Sequence, residues 1–175
     1  MNIRIGNGFD IHRFSDDPAR PLVLGGVTFD SGGGLLGHSD ADVLTHAVAE
    51  ALLGAAGLGD LGSHFPDTDE RFAGAVSTDL LAEVVRMVTA EGWSVANVDC
   101  SVVAERPKLA ARRAEMQDCL SAIVGAPVTV KGRRAEGIGG LGREEGIAAL
   151  ASALLVAAEA AEAGGTGASG TAVSP

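Results

Sequence analysis

The chain opens with apolar residues at alternate positions, Ile3 and Ile5 leading toward the Asp10-Ile11-His12 triplet. A period of two is the mark of a strand, and it predicts one ending near that triplet. Residues 15–21 are polar with two prolines, a loop, and residues 22–29 form a second apolar run that the glycines at 32–34 break. Ser39 reads as a helix N-cap, with Asp42 three residues on in a capping-box-like place. The helix it opens carries Val43, Leu44, Ala47, Val48, Ala51 and Leu52 at helical spacing and stops around residues 54–57. Residues 57–72, GLGDLGSHFPDTDERF, are loop chemistry throughout. A second helix follows over about 77–91, with Gly92 as its C-cap.

Val95, Val98, Cys100, Val102 and Val103 mark a strand that Pro107 terminates, and a third helix covers about 109–124 up to Gly125. Val128 and Val130 mark a short strand, a glycine-rich loop reaches Gly142, and the apolar, alanine-rich segment 144–162 predicts a last helix. Four strands and four helices in one chain must share a core. The expected fold is therefore α/β of the α+β type, a single domain with a mixed four-stranded sheet and helices packed on one face. The domain is expected over residues 1–162, and the low-complexity residues 163–175 as a disordered tail. No internal repeat is visible.

Composition narrows the chemistry. The 175 residues are 46% hydrophobic, and heavy use of alanine and glycine implies a core packed from small side chains. Five Phe, one Trp and no Tyr leave little with which to stack on bases, and a net charge of -10 opposes binding along a nucleic-acid backbone. A small anionic ligand is still compatible where the few cations converge. Arg106, Lys108, Arg112 and Arg113 form one such group and Lys131, Arg133 and Arg134 another, although solvated element ends are the commoner reason for such groups. Cys100 and Cys119 lie within a strand pattern and a helical pattern and read as buried thiols. No stretch approaches the roughly 20 uninterrupted apolar residues of a membrane span, nor does the N-terminus resemble a signal peptide, so a cytoplasmic protein with no membrane and no nucleic-acid partner is expected.

Asp10 and His12, two apart on a strand, leave it on the same face, and a carboxylate with an imidazole is an ordinary beginning of a zinc site. The pair alone is a weak signal, since capping and surface roles are commoner. His46 is the natural third ligand; its alternative is a core histidine on an apolar helix. His38 and Ser39, at the helix start, suit an anion or merely cap. The Phe65–Asp69 loop, with Asp60 before it, is able to hold a cation or ligand hydroxyls, or to be only a polar turn. Glu136, beside three cations, is placed either to hold a hard metal such as Mg²⁺ or to form a structural ion pair.

Five ordered segments together resemble one family: G-F-D-I-H at 8–12, L-G-H-S-D-A-D-V-L-T-H at 36–46, L-G-D-L-G-S-H-F-P-D-T-D at 58–69, A-E-R-P-K-L at 104–109 and G-R-E-E-G-I-A at 142–148. The chain resembles the 2-C-methyl-D-erythritol 2,4-cyclodiphosphate synthases of non-mevalonate isoprenoid synthesis over nearly its whole length. The resemblance implies a homotrimer of α/β subunits with each active site between neighbours, and Zn²⁺ on Asp10, His12 and His46. It implies a phosphorus–oxygen lyase that cyclises 4-diphosphocytidyl-2-C-methyl-D-erythritol 2-phosphate and releases CMP, with Mg²⁺ or Mn²⁺ on Glu136 bridging the diphosphate. His38 and Ser39 would steady the attacking phosphate. Asp60, Gly62, Phe65, Asp67 and Asp69 would hold the erythritol portion, and Ala104, Pro107, Lys108 and Ala110 the cytidine.

The chain departs from that pattern in one loop. Arg133-Arg134-Ala135 stands where the family carries a threonine run, so Arg134 occupies the place of a threonine expected to support the transition state. Gly140 replaces an aromatic residue and Glu144 a glycine, leaving Arg143 as the remaining lining of a cavity on the trimer axis. A guanidinium binds phosphate bidentately but is far bulkier than a hydroxyl. Two readings follow: a working synthase with a diverged phosphate loop, or a paralogue that binds or processes another nucleotide-linked diphosphate. A zinc-stabilised structural trimer would require a fourth, closing ligand, and none is evident.

Overall fold

The computed structural model describes residues 2–30 and 33–158. Strand β1 (Ile3–Arg13) is followed by a small hairpin of β2 (Leu22–Leu24) and β3 (Val27–Phe29), then by helix α1 (Val43–Ala56). A short helix α2 (Leu61–His64) and a 3₁₀ turn (Glu70–Phe72) lead to α3 (Ser77–Ala90) and β4 (Trp93–Val103). A second 3₁₀ turn (Leu109–Arg112) enters α4 (Arg113–Val124), and β5 (Val128–Arg133), the short α5 (Gly139–Gly142) and β6 (Gly146–Ala157) complete the order. The main sheet runs β1-β6-β4-β5; β4 and β5 are parallel and the other pairs antiparallel, so the sheet is mixed. Helix α1 packs on β1 and β6, α3 on α1 and β4, and α4 on β5, all against one face.

Four strands and one helical layer agree with expectation, but the membership differs. The segment expected as a last helix at 144–162 is β6, in the middle of the sheet between β1 and β4, as far as residue 157. Ala149, Ala151 and Ala153 are buried beneath α1, and an Ala- and Leu-rich run covered on both edges by strands loses the polar alternation that would have distinguished it. Conversely, the apolar run at 22–29 is a separate two-stranded hairpin. The end of the domain at 162 and the tail at 163–175 fall outside the described residues.

Helix α1 starts later than Ser39. Its N-cap is Asp42, which accepts from Thr45 N at 3.0 Å and from the Thr45 hydroxyl at 2.7 Å. The same buried carboxylate accepts from Gly25 N and Gly26 N at 2.9 and 2.7 Å, so it also ties the β2–β3 turn to the helix. Gly57, at φ 76°, ends the helix in the left-handed conformation that glycine adopts without a Cβ penalty. Helix α3 runs from Ser77 as expected, and α4 ends at Gly125. The segment 57–72 is less uniform than a loop, because Asp60 and Asp69 cap the short α2 and the 3₁₀ turn.

Candidate active site

Two glycines determine how closely α1 approaches β1. Gly6 and Gly8 face the helix, and a Cβ on either would lie 2.1 Å from Ala51 O or 2.0 Å from Ala47 O. The next two residues on that face of the strand are Asp10 and His12. With the helix backbone seated directly on the strand, His46, one position before Ala47, meets Asp10: its Nδ1 lies 3.0 Å from Asp10 Oδ2. His12 Nε2 lies 3.0 Å from the same oxygen. One carboxylate and two imidazole nitrogens thus converge with ligand atoms within 4.8 Å of one another, a set suited to a divalent ion. No fourth His, Cys, Asp or Glu joins this cluster among the described residues, which matches a site with an open position for substrate.

The electrostatics agree. Burial on its own would raise the Asp10 carboxyl, but hydrogen bonds from His12 and His46 and their charges outweigh it and hold it well below the usual carboxylate range. Burial opposes protonation of His12, yet the hydrogen bond and charge of Asp10 leave its pKa above the ordinary value. On its other side His12 Nδ1 is 2.7 Å from Leu36 O, an acceptor only, so this nitrogen carries the proton and Nε2 is the free ligand.

A cleft of about 540 Å³ opens above the triad, lined by Asp10, His12, His38, Ser39, Gly62, Phe65 and Asp67 among others. Asp60 and Asp69 are not in its lining but serve as caps, both held below the ordinary carboxylate value, by Ser63 and by Arg71 respectively. A second cleft of about 290 Å³ is lined by Ala104, Pro107, Lys108, Ala110, Arg113, Arg133 and Arg134. Lys108 and Arg134 therefore do converge with the segment 104–110. The two clefts share no lining residue. Glu136 lies in neither and is not part of the metal cluster; Arg143 pairs with Glu145 at 2.7 Å, also outside both.

Several participants escaped sequence reasoning. Arg20 donates to Gly37 O at 3.0 Å and Ser39 O at 2.5 Å, placing a cation beneath the loop that presents His38 and Ser39. Glu50 lines the main cleft and accepts from Leu61 N at 3.0 Å, fastening the 61–67 wall to α1. Ser77 and Asp40 stand behind His46. All act across long sequence separations, and only the polarity of Glu50 on a mostly apolar helix gives a local signal.

A small α/β domain thus carries a three-residue cluster fit to hold a divalent ion in one cleft and a group of cations around another. The chain belongs to the YgbB family, whose profile matches residues 3–156. It is 53% identical over 158 residues to the 2-C-methyl-D-erythritol 2,4-cyclodiphosphate synthase of Thermosynechococcus vestitus, covering 89% of this chain and 97% of that protein. Among solved structures, the bifunctional IspDF from Campylobacter jejuni superposes with a TM-score of 0.83 at 41% identity, over 88% of this chain and 42% of that one. The CDP complex of IspF from Plasmodium falciparum matches with a TM-score of 0.78 at 30% identity, over 90% and 98% of the two chains. Among the described residues, no helix is long and apolar enough to cross a membrane.

Proposed function

We propose that the chain is a 2-C-methyl-D-erythritol 2,4-cyclodiphosphate synthase. It closes 4-diphosphocytidyl-2-C-methyl-D-erythritol 2-phosphate into the cyclic diphosphate and releases CMP. The observation that carries this reading is the convergence of Asp10, His12 and His46 in a family member more than half identical to a named synthase. The resident ion is read as Zn²⁺, from a donor set of two imidazoles and one carboxylate. When bound it supplies charge neutralisation to the diphosphate as negative charge shifts to the leaving CMP.

The chain's own residues position the reactants. His38 and Ser39, backed by Arg20, receive the 2-phosphate, whose oxygen attacks the β-phosphorus while the bond to the CMP oxygen breaks. The 62–67 wall takes the erythritol portion. The 104–110 segment takes the cytidine, and Arg134 brings a guanidinium to the phosphates in place of a hydroxyl. Glu136 is assigned the Mg²⁺ or Mn²⁺ that accompanies the diphosphate, and Arg143 the axial cavity.

A substrate that needs both clefts is best served by two copies of the chain, the metal cleft of one beside the cationic cleft of the next. A homotrimer satisfies this with three equivalent sites. A cytoplasmic location completes the reading.

Purified protein supplied with Zn²⁺ and Mg²⁺ is expected to release CMP from the diphosphocytidyl substrate; no release overturns the assignment and favours a paralogue with another ligand. His46→Ala is expected to abolish cyclisation and lower zinc content while leaving the assembly intact. Unchanged zinc stoichiometry with reduced stability would return His46 to an ordinary core role.

A further inference from the structure

We infer that Asp40 and Ser77 are positioning residues that fix the proton of His46 so that its Nδ1 is free for the metal. This rests on the metal-centre reading above. His12 has its tautomer set by a carbonyl, which accepts and never donates. Among the described residues His46 has no such carbonyl partner. Its Nε2 faces two hydroxyls, Ser77 Oγ at 2.8 Å and Ser39 Oγ at 3.2 Å, and a hydroxyl is able to donate or accept. Were Ser77 to donate, Nε2 would carry the lone pair and Nδ1 the proton, and His46 would present N–H to the ion.

Asp40 removes that ambiguity at Ser77, the nearer of the two hydroxyls. Its carboxylate has only lone pairs, and it takes the Ser77 hydroxyl proton on Oδ1 and Ser77 N on Oδ2 at 3.1 Å. With its proton committed to Asp40, Ser77 Oγ turns lone pairs toward His46. Nε2 then carries the hydrogen toward Ser77, which leaves the Nδ1 lone pair for an ion shared with Asp10, whose Oδ2 is 3.0 Å away. Ser77 is 1% and His46 9% exposed, so bulk water is poorly placed to take over the role of the serine. The same contacts anchor α3, whose N-cap, Val76, offers no side-chain acceptor; Asp40 N also donates to Ala75 O at 3.0 Å. The loop that presents His38 and Ser39 is thereby joined to the orientation of a metal ligand.

The test is chelator-competition measurement of Zn²⁺ affinity on the full chain, for the parent protein, Ser77→Ala, Asp40→Asn and the double variant. Thermal unfolding of the metal-free proteins is followed in parallel. Asparagine keeps one acceptor oxygen but must turn its NH₂ toward one of the two Ser77 donors, so it disturbs the relay without emptying the site.

Each single change is expected to weaken zinc binding by roughly 10–100-fold. The double variant should be no weaker than the worse single, because the two groups act in series. Ser77→Thr, which keeps the hydroxyl, should recover most of the affinity. Single variants that bind zinc within about twofold of the parent while losing only thermal stability would reduce the pair to a helix cap and overturn the relay. Losses that simply multiply would overturn the series arrangement. If Ser77→Ala does not fold, Asp40→Asn decides alone by the same criteria. A parent protein that binds no zinc fails at the earlier step, and that result overturns the metal centre together with the relay.

Discussion

Along β1, the residues facing α1 are Gly6, Gly8, Asp10 and His12, while Ile3, Ile5, Asn7, Phe9 and Ile11 face the other way, the four apolar ones being 46%, 75%, 56% and 52% exposed. Across the ladder, Gly6, Gly8 and Asp10 pair with Ala153, Ala151 and Ala149, whereas Phe9 pairs with the half-exposed Leu150. The apolar face of the strand is thus the one that the subunit leaves uncovered. The small-residue face is the one it buries. Small residues inside bring α1 onto the strand so that His46 reaches Asp10. The large apolar residues outside stay about half exposed or more in the single chain, and a patch of that kind marks an interaction surface. In the proposed enzyme one strand therefore serves catalysis on one side and assembly of the trimer on the other.

The sharpest way to break the inner face is Gly8→Ala. The added Cβ has backbone on its far side, which no rotamer change relieves, so α1 must lift. A loss of about 3 kcal/mol or more is expected in urea unfolding. Zinc content should fall with it, since Asp10 and His46 separate; a stable variant with full zinc would show that the close approach is dispensable. The outer face is broken by Ile5→Glu. Within the single chain this residue is largely exposed, so the change should leave subunit stability within about 0.5 kcal/mol. In the assembly it buries a charge. Sedimentation should then show single copies in place of three, and cyclisation should drop roughly 100-fold as the two clefts lose registration. A variant that still sediments as a trimer would place the interface elsewhere.

The same contrast explains what the sequence could and could not show. Alternation found β1, and the structure adds which face is inward: Ile3 and Ile5 lie exposed and the glycines between them and Asp10 are buried. Alanines misled at β6 for a related reason: Ala149, Ala151 and Ala153 are small because α1 lies on them, and small residues carry a helical signal when read alone. Capping was misplaced by three residues since Ser39 and Asp42 are both good caps, and only the tertiary contacts to Gly25 and Gly26 single out Asp42. Asp10, His12 and His46 were legible as candidates by residue type and order. Ser77, Asp40 and Arg20 were not, because each acts on a group distant in sequence or through a carbonyl that carries no sequence signal.

A smaller effect is expected at Ala41, on the inner side ahead of α1. It is fully buried at φ 58°, a left-handed conformation that costs an L-residue with a Cβ roughly 1–2 kcal/mol. Ala41→Gly removes that strain and loses some unfolded-state restriction. A net gain of about 0.5–1 kcal/mol in urea unfolding is expected, with zinc affinity unchanged. A loss would mean that the Ala41 methyl, which lies against Gly37, is worth more as packing than the strain costs.

The smallest effect belongs to the polar end of the outer face, where Lys131 and Thr129 hydrogen-bond to Asp99. Those bonds, Lys131 first, hold the Asp99 carboxyl below its ordinary value of 3.8 against a slight opposing effect of burial. A depressed folded value means that the contribution is fully present above the unfolded pKa and is lost as pH falls through the folded one. The stability difference between the parent and Asp99→Asn should therefore be flat from neutral pH down to about 5 and shrink below about 4. Both side chains are over 40% exposed in the single chain, so the difference should be only about 0.2–1 kcal/mol and should fade in molar salt. Measured on assembled protein and on the Ile5→Glu monomer, the pair reports on the comparison itself. A difference that is larger and salt-resistant only in the assembly shows that another copy covers the polar end along with the apolar one. Equal, salt-sensitive values in both confine the interface to the β1 and β6 side.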